Sequence, residues 1–224
     1  VAIHWFLFFE SIKVSTIAIG VICMSTTTLF IAFIEPIILK RKIQIYEIII
    51  GIVILVGISI IFGVEREHYL GIIFGLISAF CAALFSTLNG KLILKNNPVR
   101  ITTIEMFAAS IAIGVFLFFQ GNINADFLDL SNKEYVFILI LGVICTALAF
   151  VASVWLMKYL SPFSVSVAIN LEPIYTIIIA YLFFDKGNEM DTGFYIGAGV
   201  ILLAVFSNSI IKRILKKRKI RVVS

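Results

Sequence analysis

The chain consists of long apolar runs that are separated by short charged or turn-forming segments. Seven runs of at least 17 residues are visible: Thr16–Leu39, Tyr46–Phe62, Tyr69–Leu94, Ile101–Phe119, Tyr135–Met157, Phe163–Phe184 and Gly193–Ile211. A helix needs about 20 apolar residues to cross the hydrocarbon core of a bilayer. Lipid offers no partner to unpaired backbone groups, so continuous apolar runs of this length predict transmembrane helices. We therefore predict an all-α polytopic membrane protein with about seven complete transmembrane helices.

The composition excludes several other classes of protein. Hydrophobic residues make up 61% of the chain and charged residues 14%, whereas soluble domains average about 45–50% and about 25%. Cys23, Cys81 and Cys145 lie inside apolar runs, which indicates packing residues instead of disulfides or zinc ligands. The sequence shows no nucleophilic triad, phosphate-binding loop or metal cluster. We therefore expect no enzyme activity, no metal and no cofactor.

The distribution of basic residues predicts the orientation. With the C-terminal tail in the cytoplasm, 14 of the 18 lysine and arginine residues fall on the cytoplasmic side, in agreement with the positive-inside rule. Residues 212–224 then form a basic cytoplasmic tail, and such clusters attract anionic lipid. This tail accounts for the net charge of +5 without a nucleic-acid partner. We expect a multi-pass protein of the inner (plasma) membrane.

An internal repeat relates the two ends of the chain. A shift of 146 residues, without a gap, places the first two predicted spans on the last two and Gly51 on Gly197. The turn that joins the first pair of spans is basic, and the turn that joins the second pair is acidic. By the orientation above, these two turns lie on opposite sides of the membrane. Inverted repeats of this kind are common in secondary transporters, where the substrate site lies near the midplane between the repeats.

Two segments carry a resemblance to a known family. Ser15–Pro36 is similar to the fourth helix, and Ser161–Tyr181 to the ninth helix, of the EamA-type transporters of the drug/metabolite transporter (DMT) superfamily. The resemblance implies a ten-helix transporter fold of two inverted five-helix repeats. Residues 1–63 would then hold the C-terminal part of the first repeat and residues 69–211 the complete second repeat. Because the first residue is not methionine, we expect a fragment that lacks preceding helices.

The resemblance implies a secondary active transporter that moves a small metabolite by alternating access. Export of amino acids or of related metabolites and drugs is the substrate range that it implies, and a small molecule is therefore the expected partner. Whether the protein forms a homodimer is left open. Two alternatives also stay open: a seven-helix receptor-like protein, suggested by the number of spans, and a non-transporting scaffold protein of the membrane. A retinal-binding protein is disfavoured because the last span contains no lysine.

Glu172 is the acidic residue that lies deepest in a predicted span, about ten residues into Phe163–Phe184. A charge near the bilayer centre costs at least about 2.5–3.5 kcal/mol on insertion scales, so we expect it to face the interior of the bundle. Pro173 removes a backbone donor and predicts a helix break, while Asn170 and Tyr175 add hydrogen-bonding groups. These residues predict a substrate or proton site. The alternative is a protonated carboxyl group that ties two helices together.

A run of four hydroxyl residues occupies the matching place in the first repeat. The shift places Asn170–Pro173 on Met24–Thr27, and the run comprises Ser25–Thr28. Hydroxyl side chains can bond the carbonyl group one turn back and bend a helix. Thr26 and Thr27 are therefore candidates for ligand contact. Close packing of helices through small residues is the alternative.

Two further sets of residues are candidates. Trp155 and Trp5 fall in equivalent helices and would either line a cavity or pack between helices. Glu35 lies near the cytoplasmic end of its span and is a candidate gate residue that would pair with Lys40 or Lys91. The alternative for Glu35 is a carboxylate that extends to the membrane surface.

Overall fold

The computed structural model describes residues 1–223 except 41, 43, 44, 65, 122, 124, 170, 171, 173, 174 and 176–191. Its regular α-helices are α1 Ala2–Val14, α2 Ile17–Met24, α3 Thr27–Ile38, α4 Ile45–Val64, α5 Tyr69–Leu92, α6 Pro98–Phe119, α7 Asn132–Leu139, α8 Ala149–Leu156, α9 Pro162–Ile169 and α10 Thr192–Val223. A π-helix, Ile140–Leu148, joins α7 to α8, and two short 3₁₀ turns lie at Arg66–His68 and Ala125–Leu128.

Several of these helices are long and apolar enough to cross a membrane. Within the described residues there are four such stretches: Ile17–Ile38, Arg66–Leu92, Pro98–Phe119 and Asn132–Leu156. Shorter apolar stretches, Ile49–Ile61 and Tyr195–Ala204, lie within α4 and α10. The prediction of an all-helical polytopic membrane protein is confirmed to this extent. The number of seven crossings and the pair of five-helix repeats stay predictions.

Polar caps set the start of two helices. The Asn97 side chain accepts the Val99 backbone N–H at 2.8 Å, and Pro98 occupies the first turn, where its missing N–H leaves no bond unmade. For this reason α6 begins three residues before the predicted Ile101. A Ser131–Glu134 capping box likewise starts α7 before the predicted span. Because capping residues are polar, the apolar pattern alone places these helix starts too late.

The predicted span Thr16–Leu39 is divided into α2 and α3 by a break at Ser25 and Thr26. The Ser25 N–H donates to the Ile22 carbonyl at 3.1 Å, and the Thr26 N–H donates to the Cys23 carbonyl at 3.0 Å. Both bonds reach three residues back instead of the four of a regular α-helix. The Thr26 hydroxyl also donates to the Cys23 carbonyl, at 2.7 Å. This is the bend that the run of hydroxyl residues predicts.

A second irregular segment interrupts the predicted span Tyr135–Met157. Nine residues of this span, Ile140–Leu148, form a π-helix. Such wide turns are rare and are found most often at functional sites. Gly142 lies inside the segment, and an added Cβ at this glycine would meet no atom within 4 Å. The π-helix therefore borders open space on the side of Gly142.

A reciprocal pair of glycines marks the crossing of α4 and α10. A Cβ added at Gly57 would lie 2.9 Å from the Gly197 carbonyl oxygen, and one added at Gly197 would lie 2.7 Å from the Gly57 carbonyl oxygen. Each added Cβ would also lie 2.6 Å from the isoleucine one turn beyond the other glycine, Ile201 or Ile61. Gly57 thus sits level with the turn after Gly197, and Gly197 sits level with the turn after Gly57. Both statements hold together only if the two helices run in opposite directions.

Opposite directions are what an inverted repeat requires of α4 and α10, because each is the last helix of its predicted repeat. The contact pairs are not the pairs that the sequence shift relates. The sequence shift places Gly51 on Gly197, whereas Gly57 is the residue that faces Gly197 in the structure. Gly51 instead packs against Leu29, whose Cδ1 would lie 2.7 Å from an added Cβ. Residues that touch at a crossing need not be equivalent in a repeat, so the gap-free alignment of the two repeats stays a prediction.

Three buried apolar clusters hold the helices around a central space. Among the described residues, the largest cluster joins α2, α3, α4, α5 and α10. A second joins the residue after α5 to α6, α8 and α9, and a third joins α3, α5 and α9. The α1 helix packs closely on α5, and the Ser11 hydroxyl donates a hydrogen bond to the Gly71 carbonyl at 2.7 Å. The α6 helix and the π-helix keep many exposed apolar side chains, such as Phe107 and Ile144. These apolar faces suit contact with lipid or with further helices.

Candidate functional site

A cavity of about 680 Å³ lies between the helices. Most of the side chains around it are apolar, and the larger ones are Trp5, Phe8, Phe9, Met24, Phe85, Met106, Phe150 and Met157. Pockets for small molecules have volumes of about 300–1,000 Å³ and combine apolar walls with a few polar groups. This cavity therefore has the size and lining of a small-molecule site.

Both irregular segments border this cavity. Val21, Met24 and Ser25 line it at the break between α2 and α3, and Gly142 and Thr146 line it from the π-helix. In a regular helix the Val21 carbonyl would accept the Ser25 N–H, but at the break that N–H bonds Ile22 instead. Irregular backbone at membrane depth is tolerated where it lines a cavity. The break between α2 and α3 therefore changes the backbone hydrogen bonding at the wall of the cavity.

Glu172 lines the cavity, and its side chain is exposed to the open space. Among the described residues that border the cavity, it is the acidic one, and no lysine or arginine is present. This placement agrees with the expectation that Glu172 faces the interior of the bundle. Its role as a substrate or proton site stays a prediction.

The hydroxyl run divides into two kinds of residue. Ser25 and Thr27 line the cavity, and their hydroxyl oxygens are buried without a hydrogen-bond partner among the described residues. Thr26 is fully buried, bonds the Cys23 carbonyl and does not line the cavity. The Thr28 hydroxyl lies 2.8 Å from that of Ser166 and links α3 to α9. Thr27 therefore keeps its candidacy for ligand contact, whereas Thr26 has a structural role.

Asn89 and Glu105 form a polar pair that the sequence reasoning missed. The Asn89 amide Nδ2 donates to Glu105 Oε2 at 2.9 Å, and Asn89 lines the cavity. Glu105 is the eighth residue of α6, about 10 Å from the helix start at 1.5 Å per residue, so Glu172 is not the one deeply placed carboxylate. Because both are polar residues inside apolar runs, the sequence could have marked each of them as a candidate site residue. Their pairing could not be predicted, since it depends on how α5 and α6 pack.

His4 also borders the cavity, although the sequence offered no sign of it. Its Nδ1 lies 2.9 Å from the Ser78 hydroxyl and 3.1 Å from the Ser78 carbonyl oxygen. The Ser78 hydroxyl donates in turn to the His4 carbonyl at 2.7 Å. The ring also meets Phe85 edge to face, with 5.4 Å between the ring centroids. These contacts fix the imidazole against α5 at the wall of the cavity.

Glu35 lies in the interface between α3 and α9. Its side chain is only 4% exposed, and Oε2 accepts the Phe163 backbone N–H at 3.3 Å. The alternative of a carboxylate at the membrane surface is therefore wrong, because Glu35 caps the first turn of α9 instead. Nearby, Gly90 of α5 packs so closely on Pro162 that an added Cβ would clash with the ring. Residues from α3, α5 and α9 thus meet tightly where α9 begins.

The remaining predicted site residues lie away from the cavity or outside the described residues. Trp155 is 46% exposed and packs edge to face on Tyr159, with 5.3 Å between the ring centroids. It does not line the cavity, whereas Trp5 does. Tyr175 is exposed and does not line the cavity either. Asn170 and Pro173 fall outside the described residues.

Residues 69–210 match the family model of the EamA-like transporter family. The match covers more than half of the chain. It coincides with residues 69–211, which the sequence predicts to be a complete five-helix repeat.

Three curated relatives match this chain. An uncharacterized transporter of Archaeoglobus fulgidus is 26% identical over 151 residues, which make up 67% of this chain and 52% of the relative. A second uncharacterized transporter of that organism is 22% identical over 91% of this chain and 71% of its own length. The uncharacterized transporter YxxF of Bacillus subtilis is 22% identical over 80% of this chain and 58% of its own length. The chain thus spans about half to seven-tenths of these relatives.

The fold is also found in a solved crystal structure. That structure matches 90% of this chain and 70% of its own chain, with a TM-score of 0.63 and 13% sequence identity. At this identity the likeness shows the fold alone.

Proposed function

Because the chain belongs to the EamA-like transporter family, we propose that its cavity is the substrate site of a secondary active transporter that works by alternating access. The observation that carries the proposal is that two irregular helical segments, Ser25–Thr26 and Ile140–Leu148, border one cavity of small-molecule size. Discontinuous helices near the midplane present backbone groups to the substrate in many transporter folds. Ser25, Thr27 and Glu172 would add side-chain contacts.

We infer that the contacts at the start of α9 close one end of the cavity. Glu35 caps α9, Thr28 bonds Ser166, and Gly90 packs on Pro162. By the predicted orientation this is the cytoplasmic end. Alternating access then requires α9 to move away from α3 and α5, so that these contacts break when the cavity opens to the cytoplasm. Glu35 would act as a gate residue through its bond to the α9 backbone.

The location and substrate range belong to the same proposal. The distribution of charge supports an inner (plasma) membrane protein with a cytoplasmic C-terminus and with anionic lipid at residues 212–224. The resemblance to the EamA family supports export of amino acids or related metabolites. A scaffold protein stays as the competing function, and it has no need for a cavity with a carboxylate and hydroxyl groups within the membrane.

A bulky side chain placed in the cavity tests the proposal. Gly142 lines the cavity, and an added Cβ there would meet no atom within 4 Å. Gly142→Trp should therefore fill the substrate site without disturbing the packing, and we expect it to lower saturable flux at least about tenfold. The measurement is uptake of a metabolite mixture by proteoliposomes that contain the complete protein.

Gly114→Trp is the matched control for this experiment. Gly114 lies in α6 with no atom within 4 Å of an added Cβ, and it does not line the cavity. We expect its flux to stay within about twofold of the unaltered protein. Equal flux in Gly142→Trp and Gly114→Trp would show that the substrate does not pass through this cavity. Absence of any saturable flux would favour the scaffold function.

A further inference from the structure

We propose that a pocket at one end of the helices binds the phosphate headgroup of an anionic phospholipid between Lys95 and Lys158. The pocket has a volume of about 420 Å³ and is lined by Ile93, Leu94, Lys95, Asn96 and Lys158. These residues come from two loops, 93–97 after α5 and 157–161 after α8. The site is separate from the central cavity and from the basic tail, and it does not rest on the proposed transport function.

The pocket lies at a surface of the membrane. Arg66–Leu92 and Asn132–Leu156 are each long and apolar enough to cross the bilayer, so the loops that directly follow them emerge from it. Ile93 and Met157, one from each loop, belong to the same buried apolar cluster. The two loops therefore emerge on the same side, and this cluster holds them next to each other.

Exposed aromatic and apolar side chains indicate headgroup depth. Trp155 and Tyr159 lie close to Lys158 in the sequence, pack edge to face and are 46% and 71% exposed. Exposed tryptophan and tyrosine at the ends of membrane helices are typical of the layer of lipid headgroups. Leu94, which follows the buried Ile93 and lines the pocket, is 71% exposed. An acyl chain can cover this leucine while the headgroup enters the pocket.

The ammonium groups of Lys95 and Lys158 are free to bind a ligand. Neither forms an ion pair or a side-chain hydrogen bond with another residue of the described part of the chain. Lysine side chains near the end of a helix can bond its last carbonyl groups, but backbone groups do so here. The Leu92 carbonyl accepts the Lys95 backbone N–H at 3.1 Å, and the Trp155 carbonyl accepts the Lys158 backbone N–H at 3.0 Å.

The charge around the pocket selects an anion. The sequence contains no aspartate or glutamate between positions 68 and 104 or between positions 135 and 171, and these ranges include both loops. Two ammonium groups at one pocket attract a negative charge, and the oxygens of one phosphate group can accept hydrogen bonds from both lysines. Basic pockets beside membrane helices bind anionic headgroups in this way.

Asn96 favours a headgroup that also carries hydroxyl groups. Its Nδ2 donates to the Leu92 carbonyl at 2.9 Å, which uses one of the two N–H groups of the amide. The second N–H and the amide oxygen are left, so Asn96 can both donate to a hydroxyl group and accept from one. Phosphatidylglycerol supplies both the phosphate and the hydroxyl groups, and we therefore take it as the occupant.

Quenching of Trp155 fluorescence measures which lipid lies next to the pocket. The complete protein, with Trp155 as its single tryptophan, is reconstituted into mixtures of phosphatidylglycerol and phosphatidylcholine. Brominated acyl chains on one lipid or the other quench a nearby tryptophan. We expect phosphatidylglycerol to associate at Trp155 at least about tenfold more tightly than phosphatidylcholine. Equal association of the two lipids would overturn the inference.

Double variants connect this preference to the two lysines. Lys95→Gln with Lys158→Gln should lower the preference for phosphatidylglycerol to less than about twofold. Lys91→Gln with Arg100→Gln is the matched control, because it removes two positive charges from exposed residues that do not line the pocket. This control should keep at least about half of the preference. Equal losses in the two double variants would show a diffuse effect of charge and would overturn the site.

A third double variant and a soluble competitor complete the test. Lys95→Arg with Lys158→Arg keeps both charges and should keep the preference, and its loss would contradict binding through charge. Glycerol 1-phosphate carries the phosphate and hydroxyl groups without acyl chains. In excess it should change the preference by less than about twofold, because the bilayer holds lipid headgroups at a high effective concentration. Loss of the preference on its addition would assign the pocket to a soluble phosphate ester and overturn the lipid site.

Discussion

Glu172→Gln is expected to lower uphill transport about 100-fold while the protein still folds. Glutamine has nearly the shape of glutamate, so the variant removes the charge at the cavity and keeps its volume. In the proposed site Glu172 would pair with a cationic group of the substrate or carry the coupling proton. Removal of one partner of such a charged pair costs about 2–5 kcal/mol, and 2.7 kcal/mol corresponds to about 100-fold. The measurement is the initial rate of uptake by proteoliposomes that contain the complete protein, with and without an imposed proton gradient.

Glu67→Gln is the control for this prediction. Glu67 lies exposed in the 3₁₀ turn Arg66–His68, so its uptake rate should stay within about twofold of the unaltered protein. Unchanged transport in Glu172→Gln would remove this residue from the substrate and proton site. The alternative would then hold, in which Glu172 is a protonated carboxyl group that ties two helices together.

Gly197→Val is expected to have the largest effect on stability, a loss of about 3 kcal/mol in the free energy of unfolding. Its Cβ would lie 2.7 Å from the Gly57 carbonyl oxygen, which belongs to the helix backbone and cannot rotate away. The two helices must then separate, and the contacts of Ile61 and Ile201 across the crossing are lost. Unfolding of the purified protein by added sodium dodecyl sulfate, followed by circular dichroism, measures the change.

The control for this variant lies two residues further along the same helix. An added Cβ at Gly199 would meet no atom within 4 Å, so Gly199→Val should change the free energy of unfolding by less than about 1 kcal/mol. Both substitutions have the same effect on helix propensity, and they differ only in what the new side chain meets. Equal losses in the two variants would show that α4 and α10 do not cross at Gly57 and Gly197.

The helices themselves were predictable, because lipid forces any crossing segment to bond its own backbone. The predicted spans Tyr69–Leu94 and Ile101–Phe119 agree with α5 and α6 to within three residues at each end. The differences arise at polar caps such as Asn97, which lie outside the apolar runs. An apolar pattern reports where a helix meets lipid or a neighbouring helix, and it contains no information about the capping residues.

The two irregular segments were not equally predictable. The run of hydroxyl residues at Ser25–Thr28 predicted a bend, because hydroxyl groups compete for the carbonyl groups of the preceding turn. The π-helix Ile140–Leu148 has the composition of an ordinary apolar helix. None of its residues is buried, and the spacing of apolar residues within the segment gives no sign of its wide turns.

The candidate site was predictable only in part, because a sequence does not show which residues of different helices meet. Glu172 was identifiable as an isolated carboxylate deep in an apolar run. Asn89 and Glu105 are 16 residues apart on different helices, so their pairing depends on how those helices pack. Trp155 was assigned through the sequence repeat, whereas only Trp5 lines the cavity.

We propose that oppositely directed helices enclose a pocket that opens in turn to each side of the membrane. Accessibility of a thiol inside the cavity tests this claim most directly. Cys23, Cys81 and Cys145 are first replaced by alanine. Single cysteines are then introduced at Ser86, which lines the cavity, and at Lys42 and Thr192, which are exposed before α4 and at the start of α10.

The measurement is the reaction of each single cysteine with a membrane-impermeant maleimide, added to right-side-out and to inverted vesicles of the complete protein. We predict that Ser86→Cys reacts from both sides, that Lys42→Cys reacts from one side, and that Thr192→Cys reacts from the opposite side. Reaction of Ser86→Cys from one side only would contradict alternating access. Reaction of Lys42→Cys and Thr192→Cys from the same side would contradict the inverted arrangement of the helices.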